Sequence, residues 1–91
     1  MPYLLIRQKF EDYRQWRTAF DSLVERRRAA GMKQVVVSRN ADDPTEAVVV
    51  FEVADAEDAQ RHAASDALRE AHRAGGVLEG TTQVTVLLDG D

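Results

Sequence analysis

Apolar residues along positions 11–31, EDYRQWRTAFDSLVERRRAAG, recur three and four places apart: Tyr13, Trp16, Phe20, Leu23, Val24 and Ala30. That spacing predicts one long amphipathic helix whose apolar stripe faces a core, with Arg14, Arg17, Asp21, Glu25 and Arg28 on the wet side. Asp12 is placed to accept backbone hydrogen bonds as N-cap, with Gln15 three residues on, and Gly31 to take the left-handed conformation that closes the last turn. Elsewhere the period shortens towards two. Tyr3–Lys9, Met32–Arg39, Glu46–Val53 and residues 81–88 read as strands rich in β-branched side chains. Residues 40–45, with Asn40, Asp42, Asp43 and the donor-less Pro44, are turn chemistry of hairpin length. Asp55 caps a second, alanine-rich helical stretch that breaks and restarts at Ser65 and Asp66 and runs to Gly75 and Gly76.

The order strand, helix, strand, strand, helix, strand is the split βαβ pattern of an α+β, ferredoxin-like sandwich with a four-stranded antiparallel sheet. Right-handed crossovers put both helical stretches on one face. The other face is not polar either. In the third strand Val48 and Val50 point away from Ala47, Val49, Phe51 and Val53, and in the fourth Thr85 and Leu87 oppose Val84, Val86 and Leu88. An apolar face with no helix over it calls for a second copy of the chain, so a homodimer joined sheet to sheet is expected.

Ninety-one residues are enough for one core, hence one domain over 1–91. The net charge of −4 argues against nucleic-acid and anionic-membrane partners. Arg26, Arg27 and Arg28 form a local basic run, which at a helix C-terminus complements the dipole and satisfies late carbonyls. Without cysteine there is no disulfide or thiolate chemistry, which fits a reducing compartment. The start MPYLLIRQKF is too short and too charged for a signal peptide, and no apolar run reaches the roughly 20 residues of a membrane span. A cytoplasmic protein is expected.

The pattern Phe10-Glu11-Asp12-Tyr13, Trp16, Phe20-Asp21, Arg27, Ala29-Ala30-Gly31, Arg39, Asn40 to Pro44, Phe51-Glu52 and Ser65 to Glu70 resembles the dimeric α+β barrel superfamily. It is most similar to small relatives of the antibiotic-biosynthesis monooxygenase domains. The resemblance implies the dimeric barrel and a small-molecule ligand held between the helices and their own sheet. The chain departs from those relatives at Gln8 and Leu23, where a histidine is common, and at His72, where an apolar residue is common. The segment 62–72, HAASDALREAH, also resembles the stretch of haem-degrading members in which the histidine of an alanine-histidine pair ligates iron. That implies haem as an alternative cofactor.

Ala56, Ala59, Ala63, Ala64, Ala67 and Ala71 make the second helical stretch a cover that either packs tightly or leaves a pocket. His72 is the first candidate for chemistry, because imidazole titrates near neutrality and serves as acid, base or ligand. His62 is the second. A solvent-facing or hydrogen-bonded histidine near a helix end is the plainer account of each, and their ten-residue separation is not the spacing of a metal pair. Tyr13, Trp16, Phe20 and Phe51 either fill the core or wall a flat aromatic pocket. Gln8, Arg39 and Asn40, at strand ends, are placed to orient a carbonyl or enolate oxygen, or simply face water. No phosphate loop, GxSxG elbow or dinucleotide fingerprint is present. These signals and the resemblance suggest a cofactor-free oxygenase or cyclase acting on an aromatic or polyketide-type molecule. The alternatives are a haem-binding protein and a non-catalytic dimeric binding module.

Overall fold

The computed structural model describes residues 2–90; Met1 and Asp91 lie outside it. Its elements are β1 (Tyr3–Lys9), α1 (Tyr13–Asp21), α2 (Val24–Ala29), β2 (Met32–Arg39), β3 (Glu46–Val53), α3 (Ala56–Ala63), α4 (Asp66–Ala74) and β4 (Gln83–Leu87). The four strands form one antiparallel sheet in the order β2-β3-β1-β4. This is the ferredoxin-like α+β arrangement expected from the pattern of apolar positions. Among the described residues no helix is long and apolar enough to cross a membrane.

Register decides which side chains share a face, since residues directly across a ladder point the same way. Leu4 lies opposite Phe51 and Val86, Ile6 opposite Val49 and Val84, and Gln8 opposite Ala47. These belong to the face under the helices. Leu4, Ala47, Val49, Phe51 and Val53 are buried there with Phe10, Trp16, Met32 and Ala59. Each fully buried large side chain contributes about 1.5–3 kcal/mol relative to exposure. The outer face carries Tyr3, Leu5, Val36, Val48, Val50 and Leu87, crossed by an Arg7–Glu46 ion pair at 2.8 Å.

Four local expectations hold at the atomic level. Asp12 accepts from the Gln15 N–H at 3.0 Å, Asp55 accepts from the Glu57 and Asp58 N–H groups, and Ser65 caps α4 through the Leu68 N–H at 3.3 Å. Gly31 has φ +74°, the left-handed conformation. Two expectations need correction. The helix over 11–31 is two helices: Ser22 closes α1, and the chain turns through Leu23 into α2. The turn lifts Val24 off the stripe to 42 % exposure. Strand β4 begins at Gln83, because Thr81 is held in the preceding loop, its hydroxyl donating to the Leu78 carbonyl and accepting from the Lys9 N–H.

Candidate active site

Between the helices and the sheet lies a cavity of about 50 Å³ lined by residues of β1, β2, β3 and all four helices, with the connecting Leu23 and Val77. Its floor is Ile6, Gln8, Val49 and Phe51, its wall Trp16 and Phe20, and its roof His62, Ala63, Leu68, Ala71 and His72. Alanine in the roof is what leaves the space, since a larger side chain at Ala63 or Ala71 would fill it. The wall is continuous aromatic surface. Trp16 stacks on Phe20 with centroids 4.9 Å apart, and Phe20 lies 6.1 Å from Phe51.

Polar groups enter this apolar space at two places. At the first, the Trp16 indole N–H donates to Gln8 Oε1 at 3.0 Å, and Gln8 Nε2 lies 3.4 Å from His72 Nε2. An indole only donates, so the Gln8 oxygen is committed to it and the amide nitrogen is turned towards His72. An amide nitrogen also only donates. With the proton on Nδ1, the neutral His72 ring presents Nε2 as the acceptor that this amide can meet. Burial works in the same direction, pushing the His72 pKa down by penalising the charged ring. The 3.4 Å separation exceeds the usual hydrogen-bond range, so the Nε2 lone pair is only loosely engaged.

Local structure explains why these three groups meet. Trp16 stands one turn into α1, where the Asp12 cap fixes the helix start. His72 lies in the last turn of α4, docked on α1 through Gly75; a Cβ there would come within 3.1 Å of the Ala19 Cβ. The Gln15 amide donates to the Ala74 carbonyl at 2.8 Å and ties the two helices together at the same end.

At the second place Arg27, only 6 % exposed, enters beneath α3. Its Nη1 donates to the Phe20 carbonyl at 2.7 Å, and its guanidinium lies 4.0 Å from the Phe20 ring centroid. Desolvation lowers the Arg27 pKa, opposed by the carboxylate of Asp21. His62, in the last turn of α3, has a buried Nε2 with no hydrogen-bond partner. Its pKa is pushed down first by burial and then by the positive charges of Arg27 and Arg26. Both imidazoles are thus biased towards neutrality in a space shared with one permanent cation.

Of the residues singled out in the sequence, His72, His62, Gln8, Trp16, Phe20 and Phe51 line the cavity together. Tyr13, Arg39 and Asn40 stand outside its lining. Tyr13 is packed between Phe10 and Trp16, with the Arg39 guanidinium 4.7 Å from its ring. Asn40 serves the hairpin: its amide donates to Glu46 at 3.0 Å and its oxygen accepts from the Asp42 N–H at 2.9 Å. In the sequence Arg27 stands as one of three helix-end charges and as part of the family pattern, not as a cavity residue. Its signal was there, because Trp16, Phe20, Leu23 and Arg27 follow at four-, three- and four-residue steps, placing a guanidinium on the core stripe.

Among the described residues no group of three or more His, Cys, Asp or Glu side chains could hold a metal ion. No curated protein matches the chain in sequence. Solved structures match its fold. A candidate antibiotic biosynthesis monooxygenase from Bordetella bronchiseptica superposes with a TM-score of 0.78 at 12 % identity, over 97 % of this chain and 95 % of that one. One from Caulobacter crescentus gives 0.74 at 16 % identity over 99 % and 90 %. One from Nitrosomonas europaea gives 0.71 at 17 % identity over the whole of both chains. At these identities the likeness is one of fold. The sequence model for the antibiotic biosynthesis monooxygenase family matches residues 6–74, a span holding every polar group of the cavity. The chain belongs to the antibiotic biosynthesis monooxygenase family, and that membership supports a small-molecule monooxygenase-type function.

Proposed function

We propose that the chain is a cofactor-independent oxygenase acting on a small, flat, acidic molecule, a phenol or β-dicarbonyl of the aromatic or polyketide type, with His72 as base. The observation that carries this reading is the Trp16–Gln8–His72 chain, which sets a loosely engaged imidazole nitrogen, its pKa lowered by burial, at an apolar, aromatic-walled cavity. His72 Nε2 takes a proton from an activated CH2 or phenolic group. The resulting anion gives an electron to dioxygen, and recombination of the two radicals forms a carbon–oxygen bond. For a CH2 centre the resulting peroxide anion takes the proton back from His72, and the hydroperoxide then gives its remaining C–H proton to His72 as hydroxide leaves, so that CH2 and O2 become C=O and H2O. The electrons come from the substrate. Once protonated, His72 turns an N–H towards the Gln8 amide, donor against donor, which favours prompt return of the proton to the departing hydroxide. A cyclase would use the same first step and close a ring instead of meeting dioxygen.

A cavity of about 50 Å³ holds a water-sized molecule, whereas a benzene ring occupies an engineered cavity of roughly 150 Å³. Substrate entry therefore requires the roof to lift. The roof is suited to it: α4 has no buried side chain and α3 only Ala59, so little apolar contact is lost when they move. A homodimer through the outer sheet face is part of the same proposal, supported by the apolar side chains of that face. The cysteine-free composition supports a reducing, cytoplasmic setting.

An oxygen electrode tests the reaction. Across a panel of flat phenols and β-dicarbonyls, wild-type protein should consume oxygen with at least one member. His72→Ala should then lower kcat by about a hundredfold or more, the lower bound for loss of a positioned base. Unchanged turnover in His72→Ala would remove this residue from the mechanism. Ring closure without oxygen uptake would make the protein a cyclase. A Soret shift on haem addition that vanishes in His72→Ala would replace the proposal with haem binding.

A further inference from the structure

The Arg27 end of the cavity is unexplained by proton abstraction at His72. Gln8 lies across from Ala47 on the sheet, and Phe51, beside Arg27, lies across from Leu4. Four residues of strand separate the two levels, about 13 Å of backbone at the usual rise. The two polar places are therefore opposite ends of one space.

Arg27 is a buried cation that lacks a carboxylate partner. Among the described residues its one hydrogen bond is to the neutral Phe20 carbonyl and it makes no ion pair. Asp21, the nearest source of negative potential, is held by Arg17 at 3.1 Å. A buried guanidinium keeps its charge and keeps four further N–H groups to place. On the same cavity lining, and within reach of the Arg27 charge, His62 Nε2 is buried and unpartnered. A permanent cation and an imidazole with an unpartnered Nε2 on one cavity lining suit an anionic oxygen acceptor.

We infer that Arg27 and His62 form a receiving site for a carboxylate carried on an aromatic ring, which would anchor one end of a substrate whose acidic centre lies at His72. The substrate role rests on the reading of the cavity as an oxygenase site; the anion site itself does not. One cation and one neutral imidazole match a monoanion better than a dianionic phosphate. The guanidinium carbon lies 4.0 Å from the Phe20 ring centroid, and the planar fork of an arginine offers the paired donors that carboxylates accept from. Trp16, Phe20 and Phe51 supply the surface on which the attached ring stacks.

Trp16 is the chain's only tryptophan and lines the cavity, so its indole N–H resonance reports on occupancy. Benzoate and its neutral counterpart benzamide are titrated into 15N-labelled protein. Benzoate should give a saturable shift of that resonance with affinity at least about tenfold above benzamide, the effect of a charge-assisted pair over a neutral one. Arg27→Met should erase the preference, and His62→Phe, which leaves the Phe20 carbonyl contact in place, should weaken benzoate severalfold without touching benzamide. Arg27→Met spectra that lose dispersion shift the decision to His62→Phe. The inference is overturned if benzoate gives no saturable shift, if benzamide binds as tightly, or if benzoate affinity survives in His62→Phe and in a folded Arg27→Met. Benzoate selectivity in a protein that never consumes oxygen would sink the oxygenase reading and leave this site standing.

Discussion

A single indole N–H sets the direction of the Trp16–Gln8–His72 chain, because it leaves Gln8 only donors to offer the imidazole. Replacing Gln8 by Glu puts a carboxylate beside His72 and favours imidazolium. The His72 pKa should rise in Gln8→Glu, which 15N chemical shifts of the ring across a pH titration would record. The two depressed histidines also fix the sign of the acid response. Their folded pKa values lie below the ordinary 6.5, so the unfolded chain binds more protons between the two values. Stability from this source is complete above about pH 6.5 and is lost as pH falls through the folded values. Tm should drop on acidification from pH 7.5 to 5, and drop less in His62→Gln combined with His72→Gln. The sequence showed the histidines, Gln8 and the aromatic residues as candidates, but their company in one cavity depends on register and helix docking. Arg27 was obscured by its neighbours: Arg26 and Arg28 are exposed, and composition alone makes the three look alike.

Caps explain which element boundaries could be foreseen. Asp12, Asp55 and Ser65 each have a side-chain acceptor where a helix begins, and each accepts the expected backbone hydrogen bond. The break between α1 and α2 has no such mark, since Leu23 at the start of α2 offers no side-chain cap and the apolar period runs straight through. Ser65 does more than cap α4, for its hydroxyl also donates to the His62 carbonyl at 2.7 Å. Ser65→Ala should cost about 1 kcal/mol in chemical denaturation. It should also speed amide exchange in α4, because the roof would open more often. Gly31 is the comparable point on the other connection. Alanine there would have to hold φ +74° with its Cβ 3.3 Å from the Ala54 Cβ. A loss of about 1 kcal/mol or more is expected for Gly31→Ala, with the position of α2 over the cavity disturbed.

At the scale of the molecule, alternation in the strands was enough to give the sheet, because β3 shows one fully buried side and one half-buried side in strict succession. The size of the cavity could not be read that way. It depends on how far a roof of alanines stands above Ile6, Val49 and Phe51, a difference of a methyl group or two spread over several residues. The outer face leads to a prediction of its own. Leu5 and Val50 lie directly opposite each other there. Replacing both by Lys should convert the proposed homodimer to a monomer in light scattering, while wild-type protein stays dimeric at micromolar concentration. The cavity rests on a more local claim, that burial keeps the His72 ring neutral while Gln8, held by Trp16, leaves Nε2 free of a proton. Long-range 1H–15N correlation spectra of the imidazole measure this directly. The account predicts the Nδ1–H tautomer at pH 7, a pKa below 6.5, and a changed Nε2 shift in Gln8→Leu. An Nε2–H tautomer, or a pKa above 6.5, would contradict it.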